Sequence, residues 1–95
     1  MDVRLAFLLS RAEEALPRLQ ALGLGAEVYL DPALLEEDAL FQSLRRRLPG
    51  RVSVHLPFWN LDLLSPDPEV RGLTLRRLLF GLDRAAELGA DRAVF

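Results

Sequence analysis

The chain has 95 residues, of which 51% are hydrophobic and 27% charged, and this composition is typical of a folded globular domain and excludes a disordered segment. The length allows one domain and excludes a complete (β/α)8 barrel, which needs about 250 residues. The formal net charge is −2 and every basic residue is Arg, so no overall basic field would attract nucleic acid or an anionic membrane.

The first β/α unit is predicted near the beginning of the sequence. Residues 3–9 form a short, nearly continuous apolar run, which is typical of a strand buried on both faces. Ser10 stands three residues before Glu13, the spacing of a capping box, and this predicts that a helix begins there. Gly23 offers the carboxyl-terminal cap of that helix. The apolar residues that share one face of the helix are Ala12, Ala15, Leu16, Leu19 and Leu22.

The second unit combines a short strand with a longer helix. Residues 25–30 have the length and apolar content of a strand. Residues 33–48 are predicted to be helical, because acids come early and an arginine run comes late, as the helix dipole favours. Pro49 and Gly50 end this helix. Its predicted buried face consists of Leu35, Ala39, Leu40, Leu44 and Leu48.

The third unit has the clearest signals. Residues 51–56 alternate between apolar and polar side chains, which predicts a strand. Asp67 and Pro68 have the residue types of an N-cap and a first helical turn, and the helix is expected to run to about Leu88, before a cap at Gly89. The predicted buried stripe of this helix is Val70, Leu75, Leu78, Leu79, Leu82 and Ala86.

Residues 92–95 are predicted to begin a fourth strand, and the sequence stops inside it. The order of strands and helices, βαβαβαβ, predicts an α/β fold with a parallel sheet and right-handed crossovers. A barrel and an open doubly wound sheet both satisfy this order. The first apolar stretch is too short for a signal peptide, and no apolar run approaches the roughly 20 residues that span a bilayer. We therefore expect a cytoplasmic protein.

His55 is the only histidine and a candidate functional residue. Side chains alternate across a strand, so Val52 and Val54 should point to one face and Ser53 and His55 to the other. In a barrel, His55 would face the interior at the carboxyl end of its strand, where the active sites of that fold lie. Imidazole binds zinc and similar divalent metals and can act as a general base. The alternative is a histidine that is hydrogen-bonded at a strand end and takes part in no chemistry, since a zinc site needs three or four ligands.

The segment around His55 resembles a known family. His55, Leu56, Pro57, Phe58, Trp59, Asn60 and Leu61 are followed by Ser65, Asp67 and Arg71, and the next helix ends in Ala85, Ala86, Glu87, Leu88, Gly89 and Ala90. This pattern, over residues 52–95, resembles the third strand and loop of the xylose isomerase-like barrel superfamily. That superfamily contains sugar and sugar-phosphate isomerases and epimerases, and apurinic endonucleases of the endonuclease IV type.

The resemblance implies a fold and a set of site residues. It implies that residues 1–95 are the N-terminal part of a (β/α)8 barrel-like domain, a partial TIM barrel. It implies that His55 is a metal ligand, for zinc, manganese or magnesium, and that Phe58, Trp59 and Asn60 wall the substrate pocket. Glu27 lies near an acid of the family pattern. A second histidine would follow Phe95, and other ligands belong to the second half of the barrel, so the 95 residues alone are expected to be inactive.

The loop residues also have simpler interpretations. Phe58 and Trp59 are large apolar side chains that can pack beneath a loop, although the same pair at a barrel mouth would suit a pocket wall. Asn60 can stabilise a turn through its own backbone.

Two functional hypotheses follow. The first is the N-terminal portion of a divalent-metal-dependent isomerase or epimerase whose substrate is a sugar or sugar phosphate; the negative net charge disfavours the DNA-repair members. The second is a non-catalytic α/β module that forms a homo-oligomer or completes its fold with a partner chain, because the open strand edges would leave backbone groups unpaired.

Overall fold

The computed structural model describes residues 2–57 and 61–95, and the helices and strands lie close to their predicted positions. The strands are β1 (Arg4–Leu8), β2 (Gly25–Tyr29), β3 (Val52–His55) and β4 (Arg92–Val94). The helices are α1 (Ala12–Leu22), α2 (Asp38–Arg47) and α3 (Pro68–Glu87), with short 3-10 turns at Leu9–Arg11 and Pro32–Leu34. The predicted alternation of strands and helices is confirmed.

The four strands form one parallel sheet in the order β1-β2-β3-β4, so each strand is hydrogen-bonded to its neighbours in sequence. This confirms the α/β class and the parallel sheet. Right-handed crossovers that always step in the same direction carry the helices to the same face of a sheet. Contacts between successive helices agree, since Arg47 of α2 pairs with Glu13 of α1 at 2.8 Å and Arg84 of α3 pairs with Asp38 of α2.

The core lies between the sheet and the helices. Ala26, Val28 and Val54 are fully buried and belong to the same apolar cluster as residues from all three helices. The predicted direction of Val52 and Val54 is therefore confirmed. The buried helical residues that pack against these strands are Ala12, Ala15, Leu16, Leu19, Phe41, Leu44, Leu78 and Ala85.

The capping box predicted at Ser10 does not form. Ser10 lies in a 3-10 turn, and α1 begins at Ala12 without a side-chain cap. The reason is that the backbone N–H of Ser10 donates to Oδ2 of Asp31 at 3.1 Å. The carboxylate of Asp31, which follows β2, therefore accepts the hydrogen bond from the first amide of this turn. Leu22, which the sequence places on the apolar face of the helix, is 69% exposed at the end of α1.

The second predicted helix is divided into two pieces. A 3-10 turn at Pro32–Leu34 precedes α2, which begins only at Asp38. The carbonyl of Leu35 accepts a hydrogen bond from Nε of Arg84 at 2.8 Å, and so contributes to a tertiary contact instead of a helical turn. The fully buried residues of α2 are Phe41 and Leu44. The predicted face included Leu44 but omitted Phe41, while Ala39 is exposed.

Helix α3 begins and ends as predicted. Oδ1 of Asp67 accepts from the backbone N–H of Glu69 at 2.9 Å, with Pro68 in the first turn. At the other end, Gly89 has a left-handed φ of 70°. The N–H of Gly89 donates to the carbonyl of Ala86, and the N–H of Ala90 to that of Ala85. This pair of bonds is a Schellman motif.

The rotation of α3 differs from the prediction. The residues that face the sheet are Thr74, Leu78, Gly81 and Ala85. Of the predicted stripe, Leu75, Leu79 and Leu82 are 51%, 54% and 45% exposed. The cause is Gly81, since a Cβ there would lie 2.9 Å from Cδ of Pro57. The absence of a side chain lets α3 approach the end of β3 closely, and this fixes which face turns inward.

A contact between the two edge strands indicates that the sheet curves towards the face away from the helices, and this face is called the concave face below. β1 and β4 are separated by three strand spacings, about 14 Å in a flat sheet. Nevertheless, both terminal nitrogens of Arg4 donate to the carboxylate of Asp91, at 2.8 and 2.7 Å. The side chain of Arg4 passes over Gly25, where a Cβ would lie 3.2 Å from Cγ of Arg4. Because Phe7 belongs to the core, Arg4 lies on the opposite, helix-free face.

This contact predicts a dependence of stability on pH. Hydrogen bonds from Arg4 hold the pKa values of Asp91 and Asp2 below the usual range of aspartic acid. Their contribution is complete above the ordinary aspartate pKa of about 3.9 and is lost as the pH falls through the lower folded-state values. We expect the urea midpoint to fall as the pH is lowered below about 4, and to fall less in the Asp91→Asn variant. Asp83→Asn, at an exposed aspartate of α3, should retain the original pH dependence; identical profiles for the two variants would refute the assignment.

Candidate functional site

The concave face carries the polar side chains of the sheet. Residues that are paired in register on parallel strands share a face. The row Ala6–Glu27–Ser53–Arg92 lies one step before the row Leu8–Tyr29–His55–Val94, which is nearest the carboxyl ends of the strands. Val54, between the two rows, points into the core. His55 therefore lies on the helix-free face, at the carboxyl end of β3.

A hydrogen bond and a stacked aromatic ring help to orient the ring of His55. Nδ1 lies 2.9 Å from the backbone carbonyl of Leu56. A carbonyl oxygen only accepts, so Nδ1 carries the proton and the lone pair of the neutral ring is on Nε2. The ring of Tyr29 stacks on the imidazole, with centroids 4.7 Å apart and planes 18° from parallel. Metal-bound histidines are commonly oriented by such a hydrogen bond from the other ring nitrogen.

Glu27 is the acidic residue of the described strands, and it lies on the same face as this ring. It is half-buried and lies on β2, in the row adjacent to that of His55. Carboxylate and imidazole are both ligands of divalent metals. Within residues 2–57 and 61–95, however, no group of three or more His, Cys, Asp or Glu side chains is placed to hold a metal ion. A metal at His55 would need ligands from other residues.

Ser53 lies beside Glu27, and sequence reasoning noted its direction without giving it a role. Its side chain is 1% exposed, and Oγ has no hydrogen-bond partner among the described residues. A buried hydroxyl without a partner costs about 1–3 kcal/mol. The strand alternation could have indicated this residue, since it places a serine beneath the histidine on the same face.

Replacing Ser53 with alanine is expected to stabilise the chain by about 1 kcal/mol, because the substitution removes a buried polar atom and little volume. The change should be visible as a higher urea midpoint with an unchanged slope. Ser10→Ala, at an exposed serine, provides a control expected to stay within about 0.5 kcal/mol. A clear loss of stability in Ser53→Ala would show that Oγ is engaged in the folded chain.

The predicted pocket wall, Phe58, Trp59 and Asn60, lies outside the described residues. Its role in substrate binding stays a prediction. A cavity of about 420 Å³ lies instead between the turn at Pro32–Leu34 and α3, with Leu73 and Phe80 in its wall. It is on the helical side of the sheet and has no lining residue in common with the concave face. This cavity is therefore not a pocket at His55.

Several residues of the family pattern have local structural roles. Asp67 caps α3, Arg71 donates to the carbonyl of Ser65 at 2.6 Å, and Gly89 ends the helix. Such residues stabilise a loop, the start of a helix and the end of a helix. The same residue types would do so in any β/α unit with this loop, whatever its family.

No family model matches the chain, and no curated protein matches it significantly. A solved structure of the TTHB071 protein from Thermus thermophilus, described as soaked with ZnCl2, is similar, with a TM-score of 0.97 and 95% sequence identity. The match covers 100% of this chain and 39% of that chain. This chain thus spans well under half the length of the structure that it matches. None of the helices described here has both the length and the apolar character needed to cross a membrane.

These comparisons correct the identification made from sequence. The assignment to the xylose isomerase-like superfamily is wrong, because no family model matches and the description of the similar structure names no such family. The physical reason lies in the pattern itself. Its matching positions at Asp67 and Gly89 are accounted for by helix capping, so they carry no information about ancestry.

Proposed function

We propose that these residues are part of a larger divalent-metal-binding protein in which the sheet closes into a (β/α) barrel and Nε2 of His55 is one metal ligand. The observation that carries this proposal is the hydrogen bond from Nδ1 of His55 to the carbonyl of Leu56, on the concave face at the carboxyl end of β3. This bond places the lone pair of the neutral ring on Nε2. Metal sites of parallel barrels are built at that end of the strands.

The strand order supports a barrel over an open sheet. The common doubly wound orders, 3-2-1-4-5-6 and 2-1-3-4-5, place at most three sequential strands side by side. This chain has four in sequential order. A barrel requires that order throughout. The contact between Arg4 and Asp91 joins the two edge strands across the polar face, which is also the direction of closure.

The length of the similar structure also supports this. If 95 residues make up 39% of that chain, it contains about 240 residues, close to the roughly 250 of a typical single barrel. The rest of such a chain would then supply the strands and helices that complete the barrel begun by the three and a half β/α units described here. A polypeptide that carries these 95 residues within the length of that chain is called the longer polypeptide below.

Zinc is the metal to test first, because imidazole is a favoured zinc ligand and the similar structure is described as soaked with ZnCl2. Manganese and magnesium are the alternatives. Glu27 is a candidate second ligand, and the remaining ligands would come from the rest of the longer polypeptide. The proposed reaction is isomerisation or epimerisation of a sugar or sugar phosphate, since a divalent ion can polarise the oxygens of such a substrate. Phe58, Trp59 and Asn60 are the proposed substrate contacts.

Zinc binding by the longer polypeptide tests the role of His55. We expect one equivalent of bound zinc, and an affinity at least about 100-fold weaker in His55→Ala, because loss of an outer hydrogen-bond partner alone costs 10–100-fold. Equilibrium dialysis followed by metal analysis measures both. Tyr29→Phe retains the aromatic ring beside His55 and is expected to bind zinc normally. Equal zinc affinity in the wild type and His55→Ala would exclude the ligand role.

A second candidate function is a non-catalytic module that self-associates. The observation in its favour is the open edge at β4, where Val94 and Phe95 are 41% and 70% exposed. Two copies could pair there and bury these side chains. Sedimentation of the 95-residue chain separates the candidates, because this module predicts a dimer mass that depends on protein concentration, with no zinc effect.

A further inference from the structure

Helix α3 has three distinct sides. One side, with Leu78 and Gly81, packs on the sheet. A second side faces α2, since Arg84 donates to the carbonyl of Leu35 and pairs with Asp38. On the third side, Leu75, Leu79 and Leu82 are each about half exposed. We call these three leucines the α3 stripe.

The α3 stripe lies on the side of the helix that faces away from α2. At about 100° per residue, positions 75, 79 and 82 are rotated roughly 70–130° from the middle of the sheet-facing side. Positions 80 and 84 are rotated by a similar angle in the opposite sense. Phe80 and Arg84 contact the α2 region, since the guanidinium of Arg84 lies between Phe41 and Phe80. The stripe is therefore on the β4 side of α3.

The spacing of the stripe is that of a helix seam. Leucines at i, i+4 and i+7 recur on one helical face, and Ala86 at i+11 continues the same row. The small side chain of Ala86 would let a second helix approach at that end. Half-exposed leucines on a side next to the buried face widen the apolar surface beyond what a helix that packs only on a sheet needs.

We propose that the α3 stripe is the docking face of the helix that follows β4 in the longer polypeptide. The inference rests on the proposed barrel. A right-handed crossover from β4 would carry the next helix to the helical face of the sheet, beside α3 and on the side away from α2. More than half of the similar chain lies outside the match, which in the longer polypeptide would be enough chain to supply such a helix. The occupant is thus a segment of the same polypeptide, and a second copy is the competing outcome.

Thiol reactivity tests this docking, because the 95 residues contain no Cys. The variants are Leu79→Cys on the stripe and Leu22→Cys as the matched control, an exposed leucine at the end of α1. Each is alkylated with iodoacetamide under native conditions, and the modified peptide is quantified by mass spectrometry. In the longer polypeptide, the thiol of Leu79→Cys is expected to react at least about tenfold more slowly than that of Leu22→Cys, since it must wait for local opening. In the 95-residue chain the two rates should be similar.

Two outcomes overturn the docking proposal. Equal rates in the longer polypeptide would show an uncovered stripe. Protection in both polypeptides that increases with protein concentration would identify a second copy as the occupant. Leu75→Cys is a second stripe variant in case Leu79→Cys does not fold, as judged by circular dichroism. Zinc binding is measured in parallel: normal zinc binding with a reactive thiol rejects the docking alone, and a protected thiol without zinc binding rejects the metal proposal alone.

Discussion

Replacing Phe41 with alanine is expected to lower the free energy of unfolding by about 3–5 kcal/mol. Phe41 is fully buried in α2, and the guanidinium of Arg84 lies 4.4 Å from its ring centroid. The cavity left by the ring cannot collapse easily, because Arg84 and Asp38 hold α2 and α3 at a fixed separation. A domain of this size has a total stability of about 5–14 kcal/mol. The substitution should therefore remove a large part of it.

Urea denaturation followed by circular dichroism measures this effect. Leu22→Ala removes an apolar side chain that is 69% exposed on α1, and it should change stability by no more than about 0.5 kcal/mol. The two variants together separate the loss of a buried ring from a general loss of hydrophobic residues. A change below about 1 kcal/mol in Phe41→Ala would mean that α2 does not pack as described.

Elements set by local chemistry could be predicted from the sequence. The four strands follow from short apolar runs, and the ends of α3 follow from Asp67 and Gly89, whose capping bonds involve residues close in sequence. Tertiary contacts explain the errors. The backbone amide of Ser10 donates a hydrogen bond to Asp31, which is 21 residues away, and no local sequence rule predicts that bond. The late start of α2 likewise depends on Arg84, 49 residues after Leu35.

The rotation of α3 shows a second limit. Two adjacent faces of this helix are apolar, so the hydrophobic pattern alone does not decide which of them meets the sheet. The close approach of Gly81 to Pro57 decides which face meets the sheet. The hydropathy of glycine does not indicate this role. The larger leucines of the α3 stripe were consequently assigned to the core, although they remain about half exposed.

The candidate site was predictable in direction but not in detail. Strand alternation was sufficient to place Ser53 and His55 on one face and Val54 on the other, and the register confirms it. The tautomer of His55 depends on where the carbonyl of Leu56 points, which no sequence pattern gives. Sequence also does not indicate that Oγ of Ser53 lacks a hydrogen-bond partner among the described residues. Whether a hydroxyl is hydrogen-bonded depends on its neighbours in three dimensions.

Replacing Arg84 with alanine is expected to cost about 2–3 kcal/mol, because a charged donor is lost from a buried position. The side chain is 7% exposed; Nε donates to the carbonyl of Leu35, and Nη1 donates to Glu87 at 2.7 Å. Burial opposes the charge, but the hydrogen bonds to Asp38 and Glu87 outweigh it and raise the pKa of Arg84. The arginine therefore stays charged at all working pH values, and its loss should be equally harmful between about pH 6 and 9.

Arg84→Met separates packing from hydrogen bonding. Methionine can remain between the rings of Phe41 and Phe80, so this variant should lose about half as much stability as Arg84→Ala. Arg77→Ala, on the same helix, controls for loss of positive charge and should be nearly neutral. If Arg84→Ala unfolds at the same urea concentration as the wild type, Arg84 does not tie α3 to α2. Because that tie orients one side of α3 towards α2, it also directs the α3 stripe to the side where the proposed next helix would bind.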